Sequence, residues 1–348
     1  GALTLWKNTH QPNKVSDQQH DEQQQFQDDD GLPSSVEELQ DLLESNRNIW
    51  RVVPNKYPVV AAGGSGDDEA SGGAPSSSHP TTHFGRCPES ELEVPARGYH
   101  EVVIESTRHH AKFNALGMLS AFRLRGSEIS SSDGAIQHLN YFKNNGKVAG
   151  ASLVHPHAQL VGLTLVPAAV KQQVDYCAKY FNKFGKSAFE TMLSEEQVMG
   201  TSSSSPSPSA SQPSRVIAAS DNFFAIVPFA ATSPFNIWIV PRFEAPWFEG
   251  ITSVQHHHLA EMLQVVVDAM QKELHFPDFN LVIHSCPLPD RGMLLTLNPK
   301  RLFRFYVEIT PRLGSGAMAG FEFGTGMFSN GNLPEDDAAA LRAAIKST

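Results

Sequence analysis

The segment NNGKVAGASLVHPHAQLVGL, Asn144–Leu163, sets two histidines and a glutamine at alternate positions directly after a glycine-rich turn. On a β-strand side chains alternate between faces, so His155, His157 and Gln159 are expected to share one. A neutral imidazole attacks phosphorus readily and leaves again easily, which suits it to carry a phosphoryl or nucleotidyl group between two acceptors. That task needs one ring nitrogen tied by a hydrogen bond, which fixes the tautomer. It also needs donors around the phosphate oxygens, where charge rearranges. Backbone N–H groups of the glycine turn can supply these, together with Ser152 and the Gln159 amide. The plainer reading of the same residues is a polar sheet edge.

Such a set must be held by a sheet. GYHEVVIES (98–106), IQHLNYFKNNG (136–146) and SLVHPHAQLVGLTL read as strands, IWRVVPNKYPVV (49–60) as a strand closed by proline, and the stretch near Ala111–Arg125 as a helix. FFAIVPFA and FNIWIVP follow as strands. Then comes TSVQHHHLAEMLQVVVDAMQKEL, in which Leu259, Met262, Leu263, Val266, Val267 and Met270 form one apolar stripe. FNLVIHS and LFRFYVEITPRL are two more strands. Strand, helix, strand, strand thus occurs twice, which predicts an α+β fold of duplicated units, antiparallel sheets flanked by helices. HPHAQ in the first copy would stand opposite RFYVE (Arg304–Glu308) in the second. Only the first copy, 49–200, keeps the histidines; 215–348 is expected to be non-catalytic. A polar extension, 1–48, precedes them with a capping-box pattern in SSVEELQDLLESN, and 61–82 and 201–214 are low-complexity insertions.

The 348 residues are 40% hydrophobic, enough for a sizeable core, and carry a formal net charge of −10. That balance argues against nucleic acid and anionic membranes as partners, and it obliges local donors to hold any phosphate. Lys143, Lys147, Arg242 and Arg312 are available to offset the field, though each such residue is more often a plain surface charge. Three cysteines (Cys87, Cys177, Cys286) without CxxC spacing fit a reducing compartment, or no redox role at all. No apolar run approaches the roughly 18–20 residues of a membrane span. A targeting peptide can be neither seen nor excluded. His256, His257 and His258 look like a metal tract but fall at a helix start, where solvated side chains are expected; His284 is expected to pack in a strand.

Phe142–Gln159 resembles the active-site segment of the galactose-1-phosphate uridylyltransferase family, the nucleotidyl-transferring branch of the histidine-triad superfamily. HEVVIES, FKNNGKVAGAS, PFAATSPFNIWIVP and GFEFGTG run closer to its plant-type, ADP-glucose phosphorylase branch, and the resemblance covers roughly Trp50–Ile345 apart from the insertions. It implies His157 as a nucleophile forming a nucleotidyl-histidine, and Gln159 as the amide on the phosphoryl oxygens. It implies phosphate contacts at Asn144, Gly150 and Ser152, a nucleotide contact at Asn55, and a hexose contact at Glu322. The implied substrates are a nucleotide-sugar, donating UMP or AMP, and a sugar phosphate or phosphate acceptor; a homodimer or larger assembly is left open. His109 and His155 match two of four ligands of a structural zinc, but the cysteine pair that should complete it is absent, as are the ligands of the branch's second metal site, where Arg304 stands in a histidine position. The chain as given is therefore expected to hold well under one zinc. A catalytically reduced subunit of a larger assembly is the alternative function. A hydrolase is disfavoured by Gln159, since an amide cannot donate the proton a third histidine would.

Overall fold

The computed structural model describes residues 51–60, 97–109, 111–201, 214–289, 291, 298–313 and 319–347, all within the unit Asn48–Thr348. The expected N-terminal helix, the 61–82 insertion, Cys87 and nearly all of the 201–214 linker lie outside these residues.

Among the described residues, nine strands form one continuous antiparallel sheet. In chain order they are β1 (Arg51–Pro54), β2 (Gly98–Ile104), β3 (His138–Asn145), β4 (His157–Leu163), β5 (Val216–Ala219), β6 (Phe223–Ile226), β7 (Ile237–Pro241), β8 (Phe279–His284) and β9 (Tyr306–Pro311). Their order across the sheet is β1-β2-β4-β3-β8-β9-β7-β6-β5. The first four strands run 1-2-4-3, and β6, β7, β9 and β8 repeat that order from the opposite edge. β3 and β8 meet in the middle, with Phe142 paired to Val282. Phe142 also pairs with Gln159, and Val282 with Glu308. Gln159 and Glu308 thus hold equivalent places, and two residues earlier His157 corresponds to Tyr306.

Helices α1 (Ala115–Ser132) and α4 (Ser253–Glu273) cover one face of the whole sheet. α1 is capped by Asn114, whose side chain accepts the Gly117 N–H, and α4 by a Thr252–Gln255 capping box. Met118, Leu119 and Phe122 of α1 and the apolar stripe of α4 close over Val103, Leu139, Leu160, Leu281, Val307 and Ile309. The alternate strand residues point the other way. On that side α2 (Ala168–Phe184) and α3 (Ala188–Thr201), with Val174, Cys177, Phe189 and Leu193, cover Phe224, Ile226, Val240 and Tyr306. They roof the second set of strands only. Among the described residues there are also the short helices α5 (Pro299–Leu302) and α6 (Gly320–Thr325), a 3-10 turn at Phe248–Gly250, and the 13-residue α7 (Pro334–Lys346).

Several expectations shift. The sheets expected of two units are a single sheet, because the central strands satisfy each other's edges. The first strand is short, at Arg51–Pro54, and α1 starts at Ala115 rather than near Ala111, where Asn114 supplies the cap. His155 lies before β4, not on it. Of the three helix histidines, His256 is buried rather than solvated, and burial takes its ring down to about 4. His257 instead pairs with Glu261 at 3.0 Å, and His258 with Asn222. No helix among the described residues is long and apolar enough to cross a membrane.

Candidate active site

His157 opens β4, opposite Ile104, with its ring almost fully buried. Its Nδ1 lies 2.9 Å from the carbonyl of His155. A carbonyl only accepts, so Nδ1 carries the proton and, in the neutral ring, Nε2 carries the lone pair. That is the tautomer a nucleophile needs.

Gln159 shares the face of His157. Val59 N–H donates to His100 Nδ1 at 2.9 Å, which puts the His100 proton on Nε2 and directs it to Gln159 Oε1 at 2.8 Å. Asn55 Nδ2 approaches the same oxygen at 3.4 Å. It also lies 2.9 Å from His100 Nε2, a contact between two donors rather than a hydrogen bond. With its oxygen occupied, Gln159 keeps its NH2 as the group available to donate. Asn144 is oriented the same way: its Oδ1 accepts from Asn280 Nδ2 at 2.8 Å, leaving its NH2. Among the described residues no partner satisfies either amide nitrogen or His157 Nε2. The arrangement therefore offers one nucleophilic nitrogen and two oriented donors, which suits a phosphoryl group.

The glycine turn is tied down from the second set of strands. Asp278 Oδ2 accepts the Val148 N–H at 2.6 Å, and Asn280 Nδ2 donates to the Ala149 carbonyl at 2.9 Å. Gly146 has φ +87° and sits so close to the Asp278 carboxylate that a Cβ would lie 1.9 Å from Oδ1. Gly150, at φ +93°, lies beside the Asn144 amide. Ser152 is exposed in the loop that follows. Of the four cations considered as offsets, Lys147 is exposed in this turn and Arg312 reaches it through Asn280. Lys143 is not a surface charge but is buried against Glu105. Arg242 lies elsewhere, over Phe224 with a bond to the Ser220 carbonyl.

Glu322 is not drawn into this group. Its carboxylate accepts from Ala319 N–H, Ser329 N–H and Ser329 Oγ, all within its own segment. The Ser329 hydroxyl, with the helix-start amides, holds it down to about 2.

His155 Nε2 donates to the Ser106 carbonyl at 2.7 Å, and its Nδ1 faces His109 Nδ1 at 3.1 Å. That spacing is close to the ~3.3 Å edge of a tetrahedral zinc with Zn–N bonds near 2.0 Å, and the Ser106 bond is the outer support such a ligand takes. Yet the described residues hold no group of three or more His, Cys, Asp or Glu able to bind a metal. Two imidazoles do not make a closed structural site.

Sequence reasoning missed His100, Glu105 and Asn280, and placed Lys143 on the surface. A polar residue at an apolar strand's alternate position marks His100 in GYHEVV and Asn280 in FNLVIH. Which partner each one meets depends on strand register, which the sequence does not spell out.

No protein-family model matches the chain. It is 31% identical to an Arabidopsis thaliana protein named ADP-glucose phosphorylase over 251 residues, 70% of this chain and 64% of that protein. The matched region thus spans slightly less than two thirds of that relative's length. It is 24% identical to a galactose-1-phosphate uridylyltransferase of Thermotoga maritima over 259 residues, 71% of this chain and 74% of that one. Among solved structures, an Arabidopsis thaliana ADP-glucose phosphorylase with bound ADP-glucose superimposes with a TM-score of 0.64 at 28% identity, covering 84% of this chain and 80% of the other.

Proposed function

We propose that this chain, a relative of the galactose-1-phosphate uridylyltransferases and of ADP-glucose phosphorylase, is a nucleotidyltransferase acting through His157. His157 Nε2 attacks the α-phosphorus of a nucleotide-sugar; the N–P bond forms as the bridging P–O bond breaks, and the electron pair leaves on the sugar phosphate. A second phosphorylated acceptor then attacks the nucleotidyl-histidine from solvent and returns the ring to its starting state. The His155 carbonyl accepts the Nδ1–H throughout and eases the positive charge that develops on the ring. The NH2 groups of Gln159 and Asn144 hold the non-bridging oxygens, and the turn around Gly150 and Ser152 lends backbone donors. Asn55, whose Nδ2 lies 3.4 Å from Gln159 Oε1, is assigned the nucleotide contact.

The observation that carries this reading is the tautomer: Nδ1–H on a carbonyl, Nε2 open, and two amides with their oxygens already occupied. Three polar groups set outward in this way also speak against a catalytically reduced subunit, because such orientation serves nothing in a scaffold. The names of the relatives offer two donors, an ADP-sugar or a UDP-sugar, and two acceptors, a hexose-1-phosphate or inorganic phosphate. We read the two four-strand sets as copies of one unit, 49–200 and 215–348, of which only the first reacts. Zinc would be held by His109 and His155 if thiolates reached them, and the proposed steps do not pass through it.

Labelled ADP-glucose and UDP-glucose, each supplied with glucose-1-phosphate or with inorganic phosphate, test the reading. Label is expected to pass into the acceptor for at least one pairing. Release of free nucleoside monophosphate without acceptor dependence would instead make the protein a hydrolase.

A further inference from the structure

Behind His157, on the helix-covered face of the sheet, two opposite charges are buried. The side chains of Lys143 and Glu105 are each 2% exposed, with Nζ 2.7 Å from Oε1. Nζ also donates to the carbonyl of His157 at 3.1 Å. Glu105 acts a second time through its backbone, whose N–H donates to the Pro156 carbonyl at 3.2 Å.

The ladder between β3 and β4 ends at Phe142–Gln159. A regular continuation would bring the β3 backbone to the His157 carbonyl, but β3 runs on to Asn145 paired with β8 and no longer with β4. The Lys143 ammonium takes the position of the missing strand partner. Adjacent carbonyls on a strand point to opposite sides, so Pro156 is held from β2 and His157 from β3, by two residues bonded to each other.

Stability does not account for the pair. Removing two charges from water costs about what their attraction returns, and an apolar pair of the same size is commonly as stable. Glu105 Oε2 is buried without a hydrogen-bond partner, which makes the arrangement dearer still. We propose that Lys143 and Glu105 are positioning residues for the nucleophile. They fix the peptides of Pro156 and His157, and so the direction in which the ring presents Nε2. The proposal rests on His157 as the nucleophile and adds what aims it.

The test uses the full chain carrying Lys143→Met and Glu105→Leu, singly and together. Each single variant leaves a buried charge unpaired and is expected to lower the thermal midpoint by about 10 °C. The double variant is expected to return close to the wild-type midpoint. Its rate of nucleotidyl-histidine formation at saturating donor should nonetheless fall on the order of 100-fold, with half-saturation moved by less than about threefold. The 15N signals of the His157 ring should change from one Nδ1–H form to a mixture of tautomers. Glu105→Gln keeps an oxygen for Lys143, and a rate within about tenfold of wild type is expected of it. A double variant with wild-type rate and a fixed ring would overturn the proposal. So would a loss carried wholly by half-saturation, or a deep loss in Glu105→Gln with the ring still fixed. A wild-type protein that takes no label, its ring held in one form that the double variant loses, would sink the transferase reading and uphold the positioning.

Discussion

The two sets of strands share one order and one register, yet they end with opposite surfaces. Gln159, Phe142, Val282 and Glu308 lie in a row across four strands. At one end the polar groups are left open: His157 Nε2 and the amides of Gln159 and Asn144. At the other, Tyr306 and Glu308, the residues in the equivalent places, are both engaged. Tyr306 takes the place of His157, and its hydroxyl accepts from Gln173 of the α2 roof at 2.9 Å. Its ring stacks on His284 at 4.4 Å between centroids. Glu308 takes the place of Gln159 and is answered by His284 at 2.8 Å and by Asn236 at 2.9 Å. One fold thus leaves His157 Nε2 and the Gln159 amide nitrogen without a partner among the described residues at one end, and engages the corresponding Tyr306 and Glu308 at the other.

Exchanging the paired positions should separate the halves most sharply. His157→Ala is expected to lower nucleotidyl transfer by at least about four orders of magnitude, the scale of losing a covalent nucleophile. Tyr306→Phe should leave the rate within about threefold and cost about 1 kcal/mol for the Gln173 bond. Single-turnover labelling and thermal melts read both. A large rate loss in Tyr306→Phe would break the contrast.

The next pair is Gln159 and Glu308. Gln159→Leu removes a donor from the phosphoryl oxygens and is expected to cost about 3 kcal/mol of transition-state stabilisation, on the order of 100-fold. Glu308→Gln should act on stability alone. Burial pushes the Glu308 carboxyl up, but its bonds to His284 and Asn236 outweigh this and hold it below the ordinary value. A depressed folded value contributes stability that is present above the unfolded value, about 4.3, and is lost as pH falls through the folded one. Melts from pH 7 downward should show the cost of Glu308→Gln at neutral pH and its disappearance below about pH 4. A cost that grows in acid would reverse the assignment.

Much of the first half was legible because chemistry and local geometry coincide there. HPHAQ follows a glycine turn within one short segment, and the two-residue period of a strand puts Gln159 and His157 on one face. What aims them could not be read, since Asn280 reaches Asn144 across 136 positions and His100 reaches Gln159 across 59. The roof was missed although α2 carries an apolar series in Val170, Val174, Cys177 and Phe181. Lys143 was misplaced because a lysine between Phe142 and Asn144 signals nothing about the carboxylate that buries it.

Two left-handed glycines sharpen the comparison further. Gly146→Ala, at φ +87° and against Asp278, should cost about 2–4 kcal/mol and displace the turn, with slower transfer. Gly185 also sits at positive φ, +71°, but in open space after α2. Gly185→Ala is expected to cost about 1 kcal/mol without a change in rate. Equal rate losses would mean that the turn does not hold the phosphate.

The smallest effect is expected for metal. With His109 and His155 as the two imidazoles, the chain as given should carry well under one zinc, and chelation should leave its thermal midpoint unchanged. Stoichiometric zinc by elemental analysis, with a lower midpoint on chelation, would show that further ligands reach this pair.

Trapping of the proposed nucleotidyl-histidine bears most directly on the contrast between the halves. The protein is incubated with a nucleotide-sugar labelled at the α-phosphate, denatured without acid, and digested. Acid-labile label on the peptide containing His157, and none in His157→Ala, is the result the open-face account predicts. Label on another histidine, or in the second half, or none on the protein while transfer to acceptor proceeds, would contradict it.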